Sequence, residues 1–246
     1  PFSHFYIIAK IHKNPWKPRP IVSFCGSLLY SLGKWLDTQL QPIAKATTAY
    51  LSSSLSLCDT LKKIRINQSD ALFTADANSM YTNIDTDHAL EVFKIFFKTH
   101  DLCLPIRDRA DMILEALSLL MRNNLFQFGD TYWRQIDGTA MGAPPAPTYA
   151  TIYYSNHELD LIAQFAPFLK FYKRYIDDAV AIWRSSPDPT FDAQQWALFQ
   201  DAMSFGKLTW EVEPRSNSIN FMDLTISIED TKLVTKIYEK PQNLYL

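Results

Sequence analysis

The sequence predicts an α+β fold. Strand-like and helix-like stretches alternate without the regular strand–helix repeat of a doubly wound sheet, which points to segregated sheets and helices. Three strands in succession close the chain. Its 246 residues, 47% of them hydrophobic, suffice to bury a substantial core without dividing into independently folding domains.

The chain opens as strand, Pro-rich turn and strand, over Phe5–Ile11, Asn14–Pro18 and Arg19–Phe24. Leu28, Leu32, Leu36 and Leu40 then recur at every fourth residue with Trp35 and Ile43 alongside, a helical stripe that runs out near Pro42. A short helix is expected over Leu55–Ile64 after the serines at 52–54. The run Ala71–Ala75 reads as a strand that ends in Asp76. Leu90, Phe93 and Phe97 share one face of a helix from Thr86, with Asp85 or Thr86 as its cap. Pro105 is expected to start another helix whose stripe is Ala110, Ile113, Leu117 and Leu120. Leu125–Phe128 and Thr131–Gln135 flank Gly129-Asp130 as a hairpin. The prolines at 144, 145 and 147 lead into a helix through about Phe165, stopped by Pro167. Phe171–Tyr175 and Ala179–Trp183 then read as a second hairpin. A helix near Phe191–Phe205 ends at Gly206, and the strands Leu208–Glu213, Ile219–Ile228 and Lys232–Tyr238 follow.

No apolar run is long enough to span a bilayer, and the start lacks a signal-peptide pattern. The first residue is Pro and a strand begins almost at once, so the chain is expected to be a piece of a longer polypeptide. Cys25, Cys58 and Cys103 lie far apart without zinc spacing, and their sparse, odd number fits a reducing compartment. A net charge of −2 argues against a nucleic-acid binder, which usually carries a basic footprint, but its distribution is uneven. Lys10, Lys13, Lys17, Arg19 and Lys34 all precede Asp37, with no acid among the first 36 residues. Trp16 stands within that basic stretch, where it could pack against a base or sugar.

The most informative residues are acids. Asp177 and Asp178 sit between two apolar, β-prone runs, at the turn of a hairpin. Adjacent like charges at a tight turn are costly unless a cation lies beside them. No Gly, Asn or Ser is present to relieve this turn. Asp76, at the end of its own strand, is a third carboxylate in a matching setting. Strands that each deliver carboxylate at one end can build a shared site for hard divalent cations.

Three segments carry a specific resemblance: Tyr175-Ile176-Asp177-Asp178, Asp76 followed at the fifth position by Tyr81, and Gly138-Thr139-Ala140-Met141-Gly142-Ala143-Pro144-Pro145-Ala146-Pro147. They resemble, in order and spacing, the catalytic motifs and substrate-facing loop of reverse transcriptases. Ala9–Lys13 with Arg19–Ser23, Met80–Ile84 and Asn220–Leu224 narrow this to the Penelope-like retroelement branch, which is related to telomerase. Met141 stands where many reverse transcriptases carry Gln, and Met is usual in that branch. Ala143 and Ala146 replace serines of the wider family.

The resemblance implies a right-hand polymerase with fingers (about 1–70 and 86–140) and palm (71–85 and 141–246). An antiparallel palm sheet would bear the acids, and the thumb would lie beyond Leu246. It implies RNA-directed DNA polymerisation, in which Asp76 and Asp177 bridge two Mg²⁺ ions with Asp178 as auxiliary ligand. The Ala77 carbonyl is a further candidate ligand, and Mn²⁺ can take the place of Mg²⁺. Lys10 and Arg19 would hold the triphosphate, by point charge and by bidentate fork respectively. Tyr81 would exclude a 2′-hydroxyl, and Met141 and Gly142 would face the nucleotide. Lys13, Lys17, Gly138, Phe221, Met222 and Asp223 would meet template or primer. Lys207 and Lys232 are both candidates for general acid to the departing pyrophosphate. The implied partners are an RNA template, a DNA primer and dNTPs, with no membrane, in the nucleus. Two alternatives stay open: a catalytically inactive or co-opted RNA-binding derivative, and another template-dependent polymerase, against which the bulky Tyr81 argues.

Overall fold

The structure is a computed structural model that describes residues 2–10, 15–100 and 104–239. It begins with β1 (Ser3–Lys10), β2 (Lys17–Ser23), α1 (Tyr30–Ala46), α2 (Ser54–Leu61), β3 (Asp70–Ala77) and α3 (Met80–Asn83). Next come α4 (Thr86–Thr99), α5 (Leu104–Arg107), α6 (Ala110–Arg122), β4 (Leu125–Phe128), β5 (Thr131–Arg134) and α7 (Ala146–Gln164). It closes with β6 (Leu169–Tyr175), β7 (Asp178–Arg184), α8 (Pro189–Ala202), β8 (Trp210–Val212), β9 (Ser218–Phe221), β10 (Leu224–Glu229) and β11 (Lys232–Ile237). The fold is thus mixed α/β with largely antiparallel sheets. It forms two compact units, Pro1–Ala46 with Ser79–Asn156, and Thr47–Asn78 with His157–Leu246. Among the described residues no helix is long and apolar enough to cross a membrane.

The first unit holds a sheet ordered β2-β1-β4-β5. β1 and β2 pair antiparallel from His4 opposite Ser23 to Lys10 opposite Lys17, while β4 joins β1 in parallel. Helix α4 starts where the Asp85 side chain accepts from the amides of Asp87 and His88, and it buries Ala89, Val92, Phe93, Phe96 and Phe97. In α1 the stripe buries Leu36, Leu40, Ile43 and Ala44. Leu28, expected to join that stripe, instead precedes the helix and is 85% exposed. The helix expected from Pro105 is broken into α5 and α6. The polar run Arg107-Asp108-Arg109 has nothing to bury, so the chain restarts at Ala110 and commits Ile113, Leu117 and Leu120 to the core.

The second unit is built on an antiparallel sheet ordered β6-β7-β3-β8. On one face Leu72, Val180 and Ile182 pack with Leu57 and Leu61 of α2 and with Ile219, Phe221, Leu224 and Ile226 of the small β9-β10-β11 sheet. A capping box at Ser53 and Ser56 fixes where α2 begins. On the other face Phe73 meets Trp196 and Phe199 of α8 edge-on at centroid distances of 4.8 and 5.4 Å. Helix α8 stops at Ala202, short of the expected Phe205. The strand expected over Ile219–Ile228 is two strands, with Phe221 opposite Leu224. Its apolar alternation changes phase between Phe221 and Leu224, and only a reversal at Met222-Asp223 keeps both halves facing the core.

Asp192 of α8 is buried beneath this sheet. It accepts from the Trp183 indole (3.1 Å), the Ser186 amide (2.9 Å) and Arg215 (2.6 Å), whose guanidinium also lies over the Trp196 ring. Burial alone would push its carboxyl up, but the hydrogen bonds from Arg215, Trp183 and Ser186, with the Arg215 charge, hold it below its ordinary value. A depressed folded-state value means stability that is present above the unfolded carboxyl pKa of about 3.9 and is lost as pH falls through the folded one. Asp192→Asn should therefore cost roughly 2–4 kcal/mol at pH 7, the lower end reflecting the residual solvent contact of Arg215. In urea titrations the gap between parent and variant should close as the pH is taken from 5 to below 3. A gap independent of pH would show that the carboxylate charge contributes nothing.

Candidate active site

Two of the acids, Asp76 and Asp178, are set opposite each other by strand register. β3 and β7 pair antiparallel from Asp70 opposite Arg184 to Asp76 opposite Asp178. Directly opposed residues share a face, so Asp76 and Asp178 project from the side on which Leu72, Val180 and Ile182 are buried. That face is apolar where α2 and the small sheet cover it and carries acids at its end. Asp76 is exposed, and Asp177 and Asp178 are half-buried.

Tyr175 opposes Asp178 across β6 and β7, leaving Ile176 and Asp177 as a two-residue turn. Ile176 has φ 54°, a left-handed conformation costly for a β-branched residue. Two contacts hold the turn. The Ile176 carbonyl accepts from Arg174 Nη1 at 2.7 Å, and the Asp177 carbonyl accepts from the Ala77 amide at 2.8 Å. Arg174 is buried and forms a bidentate pair with Glu158 of α7, Nε to Oε1 at 2.6 Å and Nη2 to Oε2 at 3.0 Å.

The β9–β10 turn lies in this same unit. The Phe221 ring is only 3% exposed and sits in the cluster that also packs Tyr175 and Met222, so it supports the turn from beneath. Met222 has φ 55°, and the Asp223 carbonyl accepts from the Tyr238 amide at 2.8 Å. Two neighbours were not singled out from the sequence. Glu211 lies opposite Asp76 on β8, and the Arg174–Glu158 pair lies behind the turn. Nothing in the sequence pairs Glu211 with Asp76, because strand neighbours distant in sequence leave no local pattern. Lys207 and Lys232 are both exposed.

Among the described residues no group of three or more His, Cys, Asp or Glu side chains is arranged to hold a metal ion. The donors at hand are carboxylate oxygens. Mg²⁺ commonly uses one or two of these with water and substrate phosphates, rather than a cage made of protein alone. Asp76 and Asp178, paired across β3 and β7, are carboxylates of the kind that mode uses, and Asp177 adjoins them in the turn.

The remaining site residues belong to the first unit. Lys10 stands opposite Lys17, and Arg19 opposite Ile8, so the three cations share one face of the β1–β2 ribbon. Arg19 and Lys17 are exposed and Lys10 is half-buried; Lys13 lies outside the described residues, as does Cys103. Half-buried Tyr81 is on the single turn of α3. The loop 138–142 is fastened at both ends. Thr139 donates its amide to the Tyr81 carbonyl, and Val22 of β2 donates to the Met141 carbonyl at 2.8 Å. A Cβ on Gly138 would lie 2.7 Å from Thr82 Cα, and one on Gly142 would overlap the Val22 carbonyl oxygen. Backbone therefore meets backbone at both glycines, which joins Tyr81, Met141 and the strand of Arg19 into one surface. A cleft of about 360 Å³ opens beside it, lined by Pro20, Thr82, Thr139 and Met141 among others.

Sequence comparison matches no family profile and no curated protein. Comparison of structures does find relatives in fold. Telomerase from Candida albicans, in complex with a TWJ fragment of telomeric RNA, superposes with a TM-score of 0.66 at 13% identity, covering 95% of this chain and 45% of that one. Apo telomerase from Candida tropicalis truncated from its C-terminal domain gives 0.60 at 14% identity, with 95% and 55% covered. A chain from the segmented genome and RNA polymerase complex inside a dsRNA virus gives 0.57 at 12%, with 91% and 21% covered. The chain spans about half or less of each of these proteins. At such identities the likeness is one of fold, shared with those telomerases and with that dsRNA-virus chain.

Gly142 has φ 117° as well as the overlap its Cβ would create. Gly142→Ala should therefore lose roughly 2–5 kcal/mol, adding a left-handed penalty of about 1–2 to an overpacking cost of about 1–3. Gly26→Ala is the control, since Gly26 also has positive φ but meets nothing within 4 Å. Chemical denaturation of both should show a clearly larger loss at Gly142. Equal losses would mean that the approach to Val22 is relaxed at no cost.

Proposed function

We propose that the chain is the fingers and palm of an RNA-directed DNA polymerase from a retroelement of the Penelope-like branch, adding dNTPs to a primer 3′-hydroxyl. The observation that carries this reading is the register that sets Asp76 against Asp178, with Asp177 beside them in a strained, anchored turn. The polymerase fold supports it, and so do the motifs shared with that branch.

In this reading each group has work suited to its chemistry. Asp76 and Asp177, with Asp178, would hold two Mg²⁺ ions, which when bound supply charge stabilisation to the attacking and leaving oxygens. Arg19 presents a planar fork to the triphosphate and Lys10 a point charge. Both act first in binding the nucleotide, whose triphosphate is already anionic before reaction. Gly142 and Met141 let the loop backbone lie close under the nucleotide, and Tyr81 closes the space beside the sugar C2′. Lys17 and Lys13 meet template phosphate, Met222 and Asp223 the primer end, and either Lys207 or Lys232 delivers the proton to pyrophosphate. A nuclear location belongs to the same proposal.

The direct test is primer extension on a defined RNA template with each dNTP and Mg²⁺. Templated addition of deoxynucleotides supports the reading, and none at any metal concentration rejects it. Asp177→Asn should lower the rate at least a hundredfold, about 2.7 kcal/mol of transition-state stabilisation. Its melting temperature without Mg²⁺ should equal or slightly exceed the parent's, because a like charge beside Asp178 is removed. A variant that extends at the parental rate would end the catalytic assignment.

An RNA-synthesising polymerase shares the fold, and Tyr81 separates the two. Tyr81→Val should raise ribonucleotide use relative to deoxynucleotide use at least tenfold, about 1.4 kcal/mol. The quantity to compare is kcat/KM for a dNTP and its matching rNTP on one template at fixed Mg²⁺. Equal losses for both substrates would make Tyr81 a packing residue.

A further inference from the structure

Two features of the second unit are otherwise unexplained: a fully buried ion pair close to the surface acids, and a β-branched residue at the first position of a hairpin turn. Arg174 and Glu158 are 1% and 2% exposed. Taking both charges out of water is expensive, and well-packed hydrophobic residues commonly serve stability as well or better. Retaining the pair therefore calls for a gain other than stability.

The geometry points to that gain. Glu158 uses two guanidinium nitrogens of Arg174, Nε and Nη2, and so fixes the plane of the group. The backbone of Arg174 is pinned as well. Its amide donates to the Ala49 carbonyl at 2.8 Å, and its carbonyl accepts from Leu51 at 3.0 Å. With plane and backbone set, Nη1 is aimed at the Ile176 carbonyl. The peptide unit before Asp177 is thereby fixed by Arg174, and the one after it by the Ala77 amide. A residue whose two flanking peptides are both anchored has its Cα–Cβ direction determined. The strained φ of Ile176 is the conformation this clamp maintains.

We infer that the buried Glu158–Arg174 pair is a positioning device that fixes the Asp177 turn in its reactive orientation, an inference that rests on the polymerase reading. Neither residue touches substrate; both act through the Ile176–Asp177 peptide. A lysine at 174 would keep the charge but lose the fork and, with it, the aimed third donor.

The decisive variant is the double replacement Glu158→Met with Arg174→Met, which leaves no unpaired buried charge and so preserves the fold. It is assayed in the full chain beside Arg174→Lys, Asp177→Asn and the parent. We expect the double variant to melt within a few degrees of the parent and to bind primer–template as tightly. Its single-turnover rate should fall at least tenfold, and its half-saturating Mg²⁺ should rise at least threefold. Arg174→Lys should move both quantities in the same direction, and it decides the matter if the double variant does not fold. Parental rate and Mg²⁺ dependence in whichever variant folds overturn the inference while leaving the polymerase reading intact. A parent no faster than Asp177→Asn overturns the polymerase reading and this inference with it.

Discussion

A β-strand repeats every two residues, so the pairing of β3 with β7 settles together which side chains reach the core and which acids meet. With Asp76 opposite Asp178, Leu72 falls opposite Ile182 and Thr74 opposite Val180. A slip of one residue would turn Leu72 and Asp76 to opposite sides from their present partners. The hydrophobic cluster beneath α2 and the acidic end of the sheet therefore depend on one choice. The apolar cluster drives that choice, since Leu57, Leu61, Leu72 and Ile182 are essentially excluded from water. Asp76 and Asp178 are set opposite each other by burial a few residues away.

The hairpin turns show where conformational cost is accepted. Gly129, Ile176, Met222 and Asp230 each occupy the first position of a two-residue turn, with φ between 54° and 58°. Gly tolerates that region freely and Asp moderately well, while a branched or bulky residue does so at a cost. The two expensive turns, at Ile176 and Met222, are the ones that carry candidate site residues. Strain of this kind persists only where the surroundings over-determine it. At Ile176 they do so through Arg174 and the Ala77 amide.

In the first unit the corresponding constraint is close approach of backbones. Gly138 and Gly142 leave no room for a side chain against Thr82 and Val22. Their loop is therefore as well located as the strand and helical turn it touches, although it contains no regular structure. Position is conferred by main-chain hydrogen bonds and close backbone contact.

Much of this was legible in the sequence because it is local. Period-two and period-four apolar patterns locate most strands and helices, and Asp85 or Thr86 marks the start of α4, the structure choosing Asp85. Asp76, Asp177 and Asp178 are legible because charged residues sit at strand ends, and Tyr81 only because its spacing from Asp76 resembles a family motif. Errors arose where a local signal was ambiguous: the phase change between Phe221 and Leu224, and the polar break before Ala110. Tertiary structure alone decided what depends on distant neighbours. It set Asp76 between Asp178 and Glu211, placed Glu158 behind Arg174, buried Phe221 beneath its turn and brought backbone to backbone at Gly142. The physical reason is range: hydrogen-bond propensity and side-chain periodicity act over a few residues, whereas strand register and burial are set by the whole core at once.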